Sequence, residues 1–383
     1  MKRDAAFALL VLAAVAGGSV RLAAAQDERT EAQERHTEAA RLVEQLGAEE
    51  FSLRERATAR LIEMGVAARL AVEAGRTHPD REIRYRCERV LQIVGEMDFQ
   101  RRLDAFTAGR SEGSDLPAWR RFRSLYGDDG DIRRLFAEMQ QAEADLLNAV
   151  EHGPQGVARA AEARTMQLQL SQRQAGEATS LGSIATLLFA AVSDDVNLGL
   201  QTSYTLVNFC NQATFVAAMN DPEKSKVLRK MLCEWIKRSD GVVAQQSMFL
   251  AMRHDLKEGL IPATRILQNR GEQPFVRQTA MMAVAKLGDA THVPLLEAAF
   301  QDVTRISAHR IDNVQYETQL RDVALAAVLI LQKQDPKQFG FERIQRSEST
   351  VFNFGTLGFQ NEDKRKQAFA KYQEFKAGGE QPR

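Results

Sequence analysis

The chain has 383 residues, of which 44% are hydrophobic and 27% are charged, and its formal net charge is zero. This length accommodates a sizeable core and favours two or three domains. The neutral balance of charge argues against a basic nucleic-acid-binding surface as the main function.

The first 25 residues have the pattern of a secretory signal peptide. Met1-Lys2-Arg3 is a positively charged start, residues 5–16 are an apolar run too short to span a bilayer, and Ala23-Ala24-Ala25 offers a small-residue cleavage site. We therefore predict export to the periplasm or the extracellular space, with cleavage near Ala25. The alternative is a segment retained as a membrane anchor. After cleavage we expect no membrane span.

Helical periodicity runs through the chain from residue 26, and no segment alternates apolar and polar residues as a half-buried strand does. We therefore predict an all-α fold. Composition divides the chain into four parts. They are N-terminal helices (26–110), a helical linker region (111–178), a C-terminal helical domain (179–340), and an extension with a terminal helix and a tail that is frayed from residue 376 (341–383). The Gln-rich residues 155–178 are either a long exposed helix or a poorly ordered connection.

One helical motif occurs four times. An apolar anchor is followed by Arg at +1, a small residue at +4, and apolar residues at +8 and +11; the anchors are Leu53, Ile83, Val276 and Leu320. Positions 0, +4, +8 and +11 lie within roughly 80° of one helix face. Three copies have Gly at +12, which predicts that the helix ends at Gly65, Gly95 and Gly288.

An acidic or amide residue stands three positions before each anchor: Glu50, Asp80, Gln273 and Glu317. The spacing from this residue to the Arg is i,i+4, with the acid on the N-terminal side. This is the favourable orientation for an ion pair on a helix surface, so we predict such pairs in the three acidic copies. A helix pair with one apolar stripe cannot bury that stripe alone, and stacking such units gives a solenoid.

The motif resembles the second helix of HEAT or HEAT-like (armadillo-type) repeats, and the whole chain resembles exported HEAT-repeat-domain proteins of planctomycete bacteria. The segments that carry the resemblance are Phe51–Thr58, Leu116–Arg123, Leu256–Leu260, Leu320–Ala326 and Gln334–Phe341. The resemblance implies an α-solenoid of stacked helix pairs that presents a surface to a protein or peptide partner. Residues 96–240 depart from the repeat, so the solenoid is expected to be irregular in the middle.

The polar segment 301–319 joins two predicted helices and is longer than most such connections. Its residues Arg305, His309, Arg310, Asp312 and Tyr316 are the candidate partner-binding surface, because long loops are disproportionately functional. The alternative is a solvated insertion. Ser307, His309 and Asp312 could also be taken as a catalytic triad, but no nucleophile elbow accompanies them.

No cofactor or metal is expected. The six histidines show no i,i+3 or i,i+4 pair, and no phosphate-binding glycine motif occurs. Cys210 and Cys233 either form a disulfide or are two small buried hydrophobes, and Cys87 occupies the small +4 position of its motif.

The sequence therefore predicts an exported, non-catalytic protein–protein interaction scaffold. Two alternatives remain open: a hydrolase-type envelope enzyme with a site in residues 181–340, and a structural subunit of a larger envelope assembly.

Overall fold

The computed structural model describes residues 30–110, 115–269 and 271–379. The signal-peptide prediction lies outside these residues. The described chain is mostly helical, which confirms the predicted fold class at that level. Its contacts divide it into two compact units, residues 1–114 and 115–383, which are taken in turn.

The first unit consists of helices. They are α1 (30–45), α2 (Phe51–Met64), α3 (Arg69–Gly75) and α4 (Arg81–Thr107), with a 3-10 turn, Gly65–Ala68, between α2 and α3. Gly65 ends α2 as predicted, with a φ of 59° that favours glycine. Gly95 does not end a helix, because α4 continues through it for three more turns and buries Leu103 and Phe106. A glycine inside a helix costs about 1 kcal/mol relative to Ala, which this burial outweighs.

The predicted apolar stripes form the core of the first unit. Ala57 and Leu61 of α2 are buried together with Ile83, Cys87 and Val94 of α4. The packing around Cys87 explains why the motif has a small side chain at +4. A Cβ atom added to Gly75 of α3 would lie 2.5 Å from the Cys87 Sγ atom, so α3 and α4 pack at near-backbone contact there.

The predicted i,i+4 ion pairs of the first unit do not form. Glu50 and Asp80 are N-cap residues with extended backbone, outside the helix surface, and the Asp80 carboxylate accepts the Glu82 N–H (2.7 Å). Arg54 instead donates from Nη1 to the carbonyls of Ala48 (2.7 Å) and Glu49 (2.9 Å), which lie six and five positions earlier. Arg84 donates in the same way to the carbonyls of His78 (2.7 Å) and Pro79 (2.8 Å). The motif arginine therefore closes the turn before its helix, identically in both copies.

The second unit is longer and also mainly helical. Its helices are α5 (Trp119–Tyr126), α6 (Gly130–Val150), α7 (Pro154–Ala175), α8 (Leu181–Ala191), α9 (Leu200–Cys210), α10 (Ala213–Met219), α11 (Ser225–Arg238), α12 (Gly241–Arg253), α13 (Leu260–Gln268), α14 (Pro274–Leu287), α15 (Val293–Glu297), α16 (Leu320–Leu331) and α17 (Glu362–Gly379). Residues 155–175 are thus helical, and α7 buries Val157, Ala161 and Thr165. Helix α17 continues past the predicted start of fraying at residue 376, to Gly379.

Two helices of the second unit approach closely around a buried carboxylate. A Cβ atom on Gly182 of α8 would lie 2.2 Å from the Glu138 carbonyl oxygen of α6. Nearby, α6 is kinked at Glu143, whose carboxylate accepts hydrogen bonds from Ser183 Oγ (2.5 Å) and Arg164 Nε (2.6 Å). Because both carboxylate oxygens have partners, this polar group is satisfied in the core.

Helix α14 lies inside the second unit, where it packs against α12, α13 and α16. Its stripe residues are buried as predicted, and so is Arg277 at the +1 position. Arg277 pairs with Asp302, and Arg321 at the same position of α16 donates to the Glu362 carboxylate (2.8 and 2.9 Å). In the second unit the motif arginines therefore reach distant segments.

The mostly helical chain also contains strands, which the sequence pattern did not indicate. Strands β1 (Arg305–Ile311) and β2 (Val314–Gln319) form an antiparallel hairpin, and β3 (Arg346–Ser347) and β4 (Val351–Phe352) form a second, shorter one. Asp312 and Asn313 join β1 to β2 with φ values of 49° and 63°. Two consecutive left-handed residues give the turn that matches the twist of a hairpin, and Asp and Asn are the non-glycine residues that tolerate it best.

Candidate functional site

The β1–β2 hairpin contains all five residues of the predicted partner-binding surface. In its register His309 lies opposite Tyr316 and Arg310 opposite Gln315, while Asp312 is in the turn. Arg305 lies at the start of β1 beside an irregularity in the pairing. The segment expected as a loop between helices is therefore a strand pair that holds these side chains on two opposite faces.

One face of the hairpin is covered by residues 341–360. The Arg343 guanidinium stacks over the Tyr316 ring at 4.3 Å, and the Gln360 amide donates to the Tyr316 hydroxyl (3.0 Å). The His309 ring abuts Gly355, where an added Cβ atom would be 3.1 Å from Nε2. Tyr316 is thus an anchoring residue, and only part of the His309 ring is open to solvent.

The opposite face and the tip are exposed. Arg305 and Arg310 project from the uncovered face with Gln315, and the apolar side chains of Ile311 and Val314 flank the turn with more than a third of their surface exposed. Arg305 lies 3.9 Å from the Glu317 carboxylate. This part of the hairpin presents cations and two aliphatic side chains.

The outer edge of β1 has unpaired backbone groups. The residue pair that flanks a two-residue turn exchanges backbone hydrogen bonds, and the pattern then alternates along the strand. The backbone N–H and C=O groups of Ile311, His309 and Ser307 therefore point toward β2, and those of Ala308 and Arg310 point outward. The same alternation on β2 directs the groups of Glu317 outward, where they pair with Phe359 (3.0 and 3.1 Å). Within the described residues no corresponding backbone partner covers Ala308 or Arg310.

A buried ionic network fixes the base of the hairpin. Arg365 of α17 donates to both oxygens of Asp322 (2.8 and 3.2 Å) and to the Glu317 carbonyl (2.9 Å). Asp322 also accepts the Gln319 N–H at the start of α16 (2.8 Å). Burial raises the pKa of Asp322 to about 6 although Arg365 and the Gln319 N–H act in the opposite direction. The network joins β2, α16 and α17.

The triad alternative gains no geometric support. Among the residues that the structure describes, the buried Ser307 Oγ has no hydrogen-bond partner, so it does not bond to His309, and Asp312 lies in the exposed turn. A nucleophile and its base must lie within hydrogen-bond reach, and the base must be oriented by a third group.

A second feature of the second unit is an open cleft with a volume of about 1030 Å³, formed by α14, α16 and the β3–β4 hairpin. Its floor is apolar, with Ala285, Ile330 and Ile344. Its rim carries cations and acids: Lys286, Lys333, Lys337, Arg346, Asp335 and Glu348. The sequence pattern does not indicate this cleft, because its residues come from three separate segments.

The cysteines and the buried histidine are part of the packing. Cys87, Cys210 and Cys233 are buried free thiols, so the two-hydrophobe interpretation of Cys210 and Cys233 holds. Burial raises the pKa of Cys87 to about 11 and is the main cause that raises that of Cys233 to about 12, so neither is a ready nucleophile. Burial, with Arg229 and Arg253 nearby, lowers the pKa of His254 to about 4.

Within the described ranges, no cluster of three or more His, Cys, Asp or Glu side chains is arranged to hold a metal ion. In the same part of the chain, every helix is too short or too polar to cross a bilayer. Comparison with known proteins finds no family model and no curated protein sequence that matches the chain.

Proposed function

We propose that this chain is an exported, non-catalytic protein–protein interaction module built from HEAT-like helix pairs, and that a partner adds an extended segment to the outer edge of β1. The motif arginines support the repeat architecture, because Arg54 and Arg84 make the same two backbone contacts 30 residues apart. Relation to the exported HEAT-repeat proteins of planctomycetes is part of this proposal and rests on the sequence motif.

The single observation that carries the binding mode is the edge of β1. Ala308 and Arg310 present backbone donors and acceptors that an added strand satisfies. The other edge of the hairpin is already used in this way by Phe359. Arg305 and Arg310 on the exposed face favour a partner strand with acidic residues at alternate positions, since opposite charges in cross-strand pairs are stabilising.

The experiment compares two variants at one position. Ala308→Pro removes an outward-pointing N–H, and Ala308→Val retains it while adding a side chain favoured in strands. Each full chain is used as bait with crosslinking in an envelope extract of the source cells. We expect the wild type and Ala308→Val to capture the same partner. Ala308→Pro should capture about threefold to tenfold less of it, because one backbone hydrogen bond is lost.

Equal thermal unfolding midpoints of the two variants establish that the hairpin is intact. Equal capture by both variants, or repeated failure of the wild type to capture any specific partner, contradicts the proposal. Hydrogen exchange gives an independent measurement. The amides of Ala308 and Arg310 should exchange fast in the free chain and slowly in the complex.

A further inference from the structure

We propose that the cleft between α14, α16 and the β3–β4 hairpin binds an extended peptide segment whose side chains alternate between acidic and apolar. None of the residues that line the cleft belongs to the β1–β2 hairpin, so this site is separate from the β1 edge. The volume of about 1030 Å³ is at the upper end of the range for ligand sites, and the cleft is open, which suits a chain that passes through it.

The charges of the rim determine the ligand class. Lys286 is already engaged, since it donates to the Glu348 carbonyl (3.0 Å) and lies 3.4 Å from the Asp255 carboxylate. Lys333, Lys337 and Arg346 are exposed, and none of them takes part in an ion pair within the described residues. Three uncompensated cations around an apolar floor favour a ligand that carries both carboxylates and aliphatic groups.

A compact phosphate is a poorer fit than a peptide. Phosphate sites typically use free N–H groups at a helix N-terminus, but α14 and α16 both bring their C-terminal ends to the cleft. The 3-10 turn Pro336–Phe339 begins with a proline, and the Asp335 carboxylate already accepts the Lys337 N–H there. Asp335 and Glu348 also repel the concentrated negative charge of a phosphate more strongly than they repel carboxylates that are spaced along a peptide.

Backbone strain on both sides of the cleft gives a second, independent observation. Lys333 has a φ of 58° at the end of α16, where its N–H bonds the Ile330 carbonyl (2.9 Å) and the Gln334 N–H bonds the Leu329 carbonyl (2.8 Å). This is the Schellman arrangement, in which the left-handed position is usually Gly. The chain therefore accepts a strained lysine at the position that projects a cation to the rim.

Val351 on the opposite wall has a φ of 70°, directly after the three-residue turn of the β3–β4 hairpin. A β-branched residue is an outlier at positive φ, where Gly is the usual residue. Strained residues of this kind cluster at binding sites, where a side chain is needed that glycine lacks. Here the side chain is an aliphatic group that faces the cleft.

The test uses the full chain and a fluorescein-labelled peptide of alternating Glu and Leu, with a Gln–Leu peptide as the neutral control. Fluorescence anisotropy should show binding of the Glu peptide that weakens with added NaCl. Lys333→Glu/Arg346→Glu should weaken it by about tenfold, since two attractive pairs become repulsive. Lys364→Glu/Lys366→Glu on the exposed face of α17 changes the net charge equally and should leave binding unchanged.

A third variant separates binding from folding. Lys333→Gly relieves the strain of the left-handed backbone and removes one cation. It should therefore raise the Tm and lower the affinity for the Glu peptide by about twofold to fivefold. A higher Tm with unchanged peptide affinity overturns the proposal, and so does equal binding of the Gln peptide. Tighter binding of inorganic pyrophosphate that displaces the peptide also overturns it. Capture of a partner through β1 is measured separately and does not depend on these variants.

Discussion

The buried pair between Arg365 and Asp322 allows a quantitative prediction. The two side chains are only 4% and 0% exposed. Arg365→Met removes the guanidinium and leaves the buried Asp322 carboxylate with one backbone donor. The Glu317 carbonyl loses its arginine contact and keeps the Phe359 N–H. Loss of one partner of a buried ion pair costs about 3–5 kcal/mol, a large share of the roughly 5–15 kcal/mol that a domain has.

Urea unfolding at pH 7 measures this cost. Both tryptophans, Trp119 and Trp235, lie in the second unit, so fluorescence reports its unfolding alone. The surface control is Arg134→Met, whose exposed ion pairs should contribute at most about 1 kcal/mol. A loss for Arg365→Met no larger than that of the control refutes the reasoning.

The double variant Asp322→Leu/Arg365→Met completes the design. Replacing both charges removes the unpaired carboxylate, and such exchanges are often neutral or stabilising. Asp322 also caps α16 through the Gln319 N–H, and loss of a cap costs about 1 kcal/mol. We therefore expect the double variant to recover most of the stability lost in Arg365→Met, with a deficit of about 1 kcal/mol.

Three further predictions follow from buried groups and close contacts. The depressed pKa of His254 contributes stability that is full above pH 6.5 and is lost as the pH falls through about 4, by about 3 kcal/mol in total. In urea unfolding, the wild type should therefore lose stability relative to His254→Leu between pH 7 and pH 4.5. The raised pKa of Asp322 has the opposite sign, so its contribution is full below about pH 4 and lost as the pH rises through 6, and Asp322→Asn should remove it in the same titration. Gly75→Ala should destabilise the first unit by about 1–3 kcal/mol, because the added methyl group would collide with Cys87. At Gly95 an added Cβ atom has no described atom within 4 Å, so Gly95→Ala should stabilise the unit by about 0.5–1 kcal/mol. Circular dichroism during thermal unfolding compares the two variants, and equal midpoints would contradict the packing argument.

Much of the helical structure was predictable, because buried stripes repeat with the helical period. The residues at +4 and +8 of the motif are buried in α2, α14 and α16 as expected. The end of α4 was not predictable from Gly95, since the burial of Phe106 beyond it decides the outcome. The ion pairs failed for a local reason. Glu50 and Asp80 are N-cap residues with extended backbone, and Glu317 lies in β2, so these carboxylates are not on the helix surface beside the motif arginines.

The hairpin escaped prediction because its strands carry no apolar alternation of their own. Its covered face becomes buried only through contact with residues 341–360, and its turn uses Asp312 and Asn313 instead of a glycine. The candidate residues all lie in the hairpin but differ in their surroundings: Arg305 and Arg310 are exposed, and Tyr316 is held by Arg343 and Gln360. The cleft needed the tertiary structure, since only folding brings Lys286, Lys333 and Arg346 together.

The attachment of the β1–β2 hairpin to residues 359–365 has a consequence for the order of folding. The Phe359 bridge and the Arg365 network connect residues 42 to 48 positions apart. Contacts of long sequence separation form late, and synthesis delivers the N-terminal residues first. The β1–β2 hairpin, with the edge proposed here for binding, therefore stays unsupported on a nascent chain until residues 359–365 are available. A chain truncated before residue 359 lacks both the Phe359 bridge and the Arg365 contacts that hold the hairpin, so a length series of truncations separates folding of the helices from attachment of the hairpin.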